Sequence, residues 1–296
     1  FNYDFPINSY NTKLSFSYMW SEFDVQREFR MLDSGGSSRV YSAGLAQALI
    51  RTRKTSSDIS FLFDYARIKN YLLGSLSGRD NLRVLRLDYR WDHTDSFFGR
   101  NFLNTRISFG FDNIMGASKD ESPLLSRARA GSKFTKFNID FYRVQQLPLS
   151  TYALIKFSGQ TTSDPLPVYE QISIGGANSV RGYPQSEFLG DYGYNTTLEL
   201  RLPTPFISNK EAPFMKKKWG DFLQFAFFVD HAGVYLKKPQ PGEPKNEYIT
   251  GTGAGLRLNF PWDLSVNIDC GFPSVSYTHL RAHETRHDLV CRLLLE

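Results

Sequence analysis

The 296-residue chain is 41% hydrophobic and 22% charged, with net charge +5 and mean hydropathy −0.37, values that an ordinary water-soluble domain would show. Its 25 Phe and 16 Tyr against 4 Met and 2 Cys do not suit that class; aromatic-rich strands with alternating faces belong to outer-membrane barrels, whose alternation hides them from hydropathy averages. No run of 18 apolar residues predicts a membrane-spanning helix, and the Lys and Arg are dispersed among Asp and Glu, which argues against a nucleic-acid partner.

Phe1 stands inside a patterned stretch, so the chain reads as an internal part of a longer one. Period two then dominates. Leu14, Phe16, Tyr18 and Trp20 alternate with small or polar residues, as do Ile59–Tyr65, Leu85–Trp91, Thr105–Phe111 and Phe137–Phe141. The pattern continues through Tyr194–Leu202, Leu223–Val229, Leu256–Phe260 and Leu264–Cys270. One apolar and one polar face is the strand signature. With weaker segments near 39–50 and 150–162, about eleven strands of ~9–12 residues are expected, long enough to cross a membrane at a tilt.

The links alternate as well. Long ones are expected near 22–38, 69–79, 113–132, 163–191 and 232–248, and short ones near 51–55, 94–100, 146–150 and 260–262. External loops and periplasmic turns of an up-and-down barrel produce this rhythm, and a soluble β-sandwich has no reason to keep it. The link 203–219 is longer than the rhythm allows, and spacing offers no account of it.

From residue 276 the alternation stops. His279, His283, His287 and Cys291 recur every four residues and on a helix could present a zinc-binding face. The segment resembles translated sequencing-adapter read-through more closely, so 276–296 is expected to be a non-native tail, with the true final strand cut off. No metal site is expected. Cys270 lies on the apolar face of a strand and Cys291 in that tail, so no disulfide is expected either. Only His93 and His231 lie outside the tail, His93 at a strand end, and no G-x-S-x-G occurs. An enzyme and a small-molecule substrate are therefore not expected, nor is any cofactor.

The most specific stretch is Gln171–Pro184, read as QISIGGANSVRGYP. Its Gly175-Gly176 pair fits turn chemistry and does not fit a GxGxxG phosphate loop. Val180-Arg181-Gly182-Tyr183 is similar to the VRGY/VRGF signature of the POTRA-associated outer-membrane assembly and secretion barrels. The longer string Glu170–Tyr194, followed by Leu198-Glu199-Leu200-Arg201, most resembles the two-partner-secretion transporters (hemolysin secretion/activation proteins, ShlB/FhaC/HecB-like). Ser132–Lys136 and Leu49–Arg53 support this, and the likeness runs over roughly 10–275. Phe228-Val229-Asp230-His231-Ala232-Gly233 is similar to the family's F-x-D-x-G strand motif, with one extra residue, Ala232, before Gly233. Gly253-Ala254-Gly255-Leu256-Arg257 resembles its penultimate strand.

This resemblance implies a transmembrane antiparallel β-barrel, of which 1–275 would be the C-terminal part: about eleven of sixteen strands. It implies a bacterial outer-membrane location, contact with lipid, and secretion of a large TpsA-like exoprotein. The signature loop would fold into the lumen. The nearest alternative is a BamA/TamA-like assembly factor that inserts other barrels, since Pro203–Ser208 after Leu198–Leu200 is similar to that branch too. Counting by twos from Leu198 and Leu200, and from Phe227 and Val229, places Glu199, Phe228 and Asp230 on the lumen wall. Two carboxylates there would repel each other, and the five-donor fork of Arg181 is expected to bind both.

Overall fold

The computed structural model describes residues 1–24, 34–205, 207–211, 218–260, 264–274 and 290–295. The strands are β1 (Asn2–Pro6), β2 (Thr12–Asp24), β3 (Gly35–Arg51), β4 (Thr55–Leu72), β5 (Ser75–Thr94), β6 (Gly99–Gly110), β7 (Phe134–Leu147) and β8 (Thr151–Thr162). They continue with β9 (Ile172–Ile174), β10 (Phe188–Gly190), β11 (Tyr192–Pro203), β12 (Leu223–Tyr235), β13 (Asn246–Asn259), β14 (Ser265–Pro273) and β15 (Val290–Leu295). All but β9 and β10 form one sheet of 13 strands, each antiparallel to its sequence neighbour; β8 pairs directly with β11, and β9–β10 form a hairpin of their own inside the link 163–191. The fold is that of an outer-membrane β-barrel piece.

Alternation decides what each face carries. On β12, Phe227 is 50% exposed and Val229 48%, while their neighbours Phe228 and Asp230 are 3% and 0% exposed. The first pair faces outward and the second the concave interior, because successive side chains of a strand point to opposite faces. The eleven expected strands are all present. To them the structure adds β1 and the short β15, which pairs with β14 and falls within 276–296. Residues 275–289, with His279, His283 and His287, lie outside the described residues.

Two local expectations are corrected, and one unexplained link gains an account. The link near 69–79 is not long: β4 and β5 continue to a two-residue turn at Leu73-Gly74, both at positive φ (52° and 69°), as a type I′ hairpin requires. Leucine is an unusual first residue for such a turn, which is why the sequence did not mark it. Cys270 is disulfide-bonded, where no bridge was expected. Its Cα partner across the β14–β15 ladder is residue 291, the only other cysteine position, and directly opposed antiparallel residues lie at a separation a disulfide can span. The overlong link after β11 contains a helical turn, α1 (Trp219–Phe222), and a bridge between Glu211 and Lys218. Phe222 of α1 packs edge-on against Phe260 with centroids 5.2 Å apart, so this link folds against the periplasmic end of β13.

Val229 stands at the middle of β12 on the outward face, which is expected to meet lipid. In lipid-reconstituted full-length protein, Val229→Arg is expected to cost about 2–4 kcal/mol of unfolding free energy, and Val229→Ile less than about 1.5 kcal/mol. Similar small costs for both would show that this face does not meet lipid.

Candidate functional site

The loop 163–191 runs along the concave face and is held there at three places. Its stem is fixed by Asp191, which is fully buried. One Asp191 oxygen accepts from Arg127 Nη1 at 2.6 Å and from the Leu166 amide at 2.8 Å, and the other accepts from the Lys237 amide at 2.6 Å. Arg127 belongs to the neighbouring link between β6 and β7 and also donates to the Lys237 carbonyl at 2.8 Å. Three links are thus tied through one carboxylate.

The second anchor is Glu170, at the end of a short 3₁₀ turn. Arg86 of β5 donates to it from Nη2 at 2.6 Å, and Lys136 of β7 donates both to its carboxylate and to its carbonyl, the latter at 3.0 Å. Arg86 is also paired with Asp64 of β4 at 2.6 Å. Burial alone would push the Glu170 carboxyl up; the ammonium and the guanidinium beside it outweigh that and hold it at about 2.

The third anchor is the tip. Between Glu170 and the tip, β9 and β10 bring Ile174 and Val180 into an apolar cluster with Ala232 and Val234 of β12 and Ile249 of β13. This seats Arg181 over the wall. Its Nε and Nη2 donate to the two oxygens of Asp230 at 2.7 and 2.9 Å, and its own amide donates to Asp230 Oδ2 at 3.1 Å. Nη1 donates to Glu199 at 2.8 Å and to Asp269 at 3.4 Å. The guanidinium lies 3.3 Å from the centroid of the Phe228 ring, a cation–π contact. Burial disfavours the cation, but Asp230 and Glu199 together raise its pKa above the ordinary arginine value.

The wall adds charges of its own. Arg257 of β13 donates to Glu199 at 2.9 Å and to Asp269 at 2.7 Å, and Arg201 donates to Glu199 at 2.8 Å. Three arginines therefore face three carboxylates, and the cluster is neutral only while Arg181 is in place. Backbone shape completes the seat. Gly182 has φ +98°, which disfavours any side chain, and a Cβ on it would meet the β14 backbone at 3.0 Å. A Cβ on Gly251 of β13 would collide with the Arg181 carbonyl. Tyr183 is buried, and its hydroxyl donates to the Thr250 carbonyl at 3.2 Å.

The structure thus brings together Val180, Arg181, Gly182, Tyr183, Glu199, Phe228 and Asp230. Gly233 is apart from them: it sits on the outer face, beneath the rings of Tyr194 and Tyr248. The inward position there is Ala232, fully buried against the loop. The extra residue before the glycine thus moves the glycine to the other side of the sheet. Counting by twos missed Asp269 and the role of Arg257, although the same count from Ile268 and Leu256 would have placed both inward. Glu170 and Asp191 carried no periodic signal at all, because they belong to a loop. His93, at the end of β5, bonds Thr55 Oγ1 at 2.8 Å, and His231 lies between Tyr194 and Thr250 on the outer face. Among the described residues no group of three or more His, Cys, Asp or Glu is arranged to hold a metal.

An antiparallel membrane sheet curved around an inserted, ion-paired loop defines the class: an outer-membrane barrel of the secretion and assembly kind. The chain belongs to the haemolysin secretion/activation protein ShlB/FhaC/HecB family, whose model matches residues 1–258. It is 23% identical over 280 residues to the heme/hemopexin transporter protein HuxB of Haemophilus influenzae, covering 92% of this chain and 47% of the relative. The chain therefore spans about half the length of the curated relatives it matches. Among solved structures it resembles CdiB from Escherichia coli (TM-score 0.70, 20% identity, 96% of this chain and 49% of that one). It also resembles BamA from Haemophilus ducreyi (TM-score 0.66, 15% identity, 94% and 58%). The family is one of secretion pores rather than of enzymes.

Glu170 gives the site a pH limit. Its carboxyl titrates lower in the folded state, about 2, than the ordinary value of 4.5, so its contribution is complete above about pH 4.5 and is lost as the pH falls toward 2. Hydrogen exchange of the 168–171 amides is expected to accelerate over that window in the native protein. In Glu170→Gln the acceleration should already be present at neutral pH, and an identical acid profile in both proteins would remove Glu170 as an anchor. Gly251→Ala is expected to lift the loop tip, seen as faster exchange at residues 180–183 with residues 168–171 unchanged.

Proposed function

We propose that the protein is the pore through which a large TpsA-like partner exoprotein is secreted across the outer membrane, with the loop 163–191 as a latch fastened by Arg181. The observation that carries this reading is the placement of the Arg181 fork between Asp230 and Glu199. A membrane barrel has all its backbone groups paired within the sheet, so its wall offers little that can move. The inserted loop is held to that wall by ion pairs and two apolar clusters, one around Ile174 and Val180 and one around Leu166. Charge-assisted bonds can be exchanged for bonds to water or to a passing polypeptide without leaving a group unpaired. No chemical step is required of any residue. The likeness to BamA is one of fold alone, and the family match favours secretion over assembly of other barrels.

Removing one partner of a buried pair leaves the other charge uncompensated, at a cost of about 3–5 kcal/mol. In full-length protein, Arg181→Ala is expected to reduce export of the partner by on the order of tenfold or more and to change conductance in planar bilayers. Arg181→Lys is expected not to restore export, because an ammonium is a point charge without the planar fork. Deleting 163–191 should alter conductance and stop export. Wild-type export by Arg181→Ala, in protein that folds and inserts normally, would end the latch reading.

A further inference from the structure

The outer face of β3, β4 and β5 changes character toward the end that bears the long links. Outward residues Phe61, Phe63 and Leu85 form an apolar band. Above it comes a row of rings, Tyr18, Tyr41 and Tyr65, in register on β2, β3 and β4. Their centroids are 4.9 and 6.2 Å apart. At the other end of this face, Trp91 closes the band on β5, stacked on His93. Trp91 lies eight residues along β5 from Arg83, the residue opposite Tyr65. At ~3.4 Å per residue and ~40° of tilt, this corresponds to roughly 21 Å of height, close to the ~25 Å of an outer-membrane apolar band. The tyrosine row therefore marks the external membrane interface.

Immediately beyond that row stand four exposed cations. Arg39 and Arg67 face each other across β3 and β4, and Lys69 and Arg79 face each other across β4 and β5. Like charges directly opposite on a sheet are destabilising, yet this face has two such pairs in succession. None of the ion pairs among the described residues includes any of the four. Glu22 shares the face on β2, but it stands opposite Ser37, which separates it from Lys69 by a strand. Arg67 turns down toward the interface: its Nη2 donates to the Tyr65 hydroxyl at 2.6 Å, and its guanidinium lies 5.3 Å from that ring centroid. The cations thus lie roughly 5–10 Å above the ring row, at headgroup depth.

We propose that this face binds the phosphates of an anionic, phosphorylated glycolipid in the outer leaflet. Phosphate is the complement the geometry calls for, since a guanidinium fork donates to two of its oxygens at a time, and an anion shared across two facing cations relieves their repulsion. A lipid is the fitting carrier because the cations continue a lipid-facing band with no break and lie level with its headgroups. The inference rests on the chain's outer-membrane placement and not on the latch.

The test titrates detergent-solubilised full-length protein with bis-phosphorylated lipid A, and separately with the same lipid after dephosphorylation, counting retained lipids by native mass spectrometry. Wild type should retain the phosphorylated form. The variant Arg39→Gln/Arg67→Gln/Lys69→Gln/Arg79→Gln should bind it more weakly by on the order of tenfold or more. The control Arg53→Gln/Lys54→Gln, in the exposed turn at the opposite end of the sheet, should bind as wild type does. Unheated gel migration identifies folded barrels, and if the fourfold variant does not fold, the two double variants replace it with the same expectation. Undiminished retention by the folded variant, an equal loss in the control, equal retention of the dephosphorylated lipid, or displacement by inorganic phosphate would each overturn the proposal.

Discussion

A carboxylate with no exposure to water must be given a cation, and Asp230 is the clearest such group on this wall. Among the described residues no arginine of its own sheet is an ion-pair partner of Asp230; Arg181, from the inserted loop, supplies two side-chain donors and a backbone amide. Glu199 and Asp269 are differently placed, because Arg257 of the sheet binds both. Without the loop, the wall would keep two arginines against three carboxylates, one of them fully desolvated. The position of the loop is therefore written into the charge balance of the sheet, and the small residues around it follow from that. Gly182 turns the chain at the wall, and Gly251 leaves room for the Arg181 carbonyl.

The anchors share labour across the sheet. Glu170 reaches β5 and β7, while Arg181 reaches β11, β12 and β14. Seven strand intervals separate β5 from β14 in the sheet order, about 34 Å of arc at ~4.8 Å each. Ten residues of loop lie between Glu170 and Arg181, and they carry the chain from one group of strands to the other across the concave face. The loop acts as a tie across the concavity as much as an insert within it.

Much of the fold was legible because a strand that faces lipid on one side and a wet interior on the other must alternate. Leu223–Val229 and Leu198–Leu200 showed both their outward faces and, by subtraction, the inward Glu199, Phe228 and Asp230. What failed to show depends on chain geometry rather than on face. Leu73 does not advertise a positive φ, and only the ladder between β4 and β5 reveals that the hairpin runs on to it. Gly233 had the right residue type at the wrong parity: with Ala232 inserted, the motif's glycine turned outward under two tyrosine rings. Glu170 and Asp191 sit where no periodicity exists, so their partners on β5, on β7 and in two neighbouring links were out of reach of any count along the chain.

The same subtraction explains why the two faces use charge so differently. Inside, most buried charges meet in ion pairs, as Arg181, Arg201 and Arg257 do with Asp230, Glu199 and Asp269, since an unmatched charge against a low-dielectric wall is costly; Asp80, buried with the Ser126 amide as its donor and no cation among the described residues, is the exception. Outside, across the apolar band, β3–β5 carry no charge between Trp91 and the tyrosine row except Arg83, which is buried over the Tyr65 ring at 3.4 Å and donates to the Met115 carbonyl. Beyond that row the sheet tolerates facing cations that its interior would not. Such a row costs stability in plain water, where repulsion is screened but not cancelled. It costs least where the surrounding medium itself supplies fixed negative charge at that depth, and the headgroup layer of an anionic membrane leaflet is such a medium.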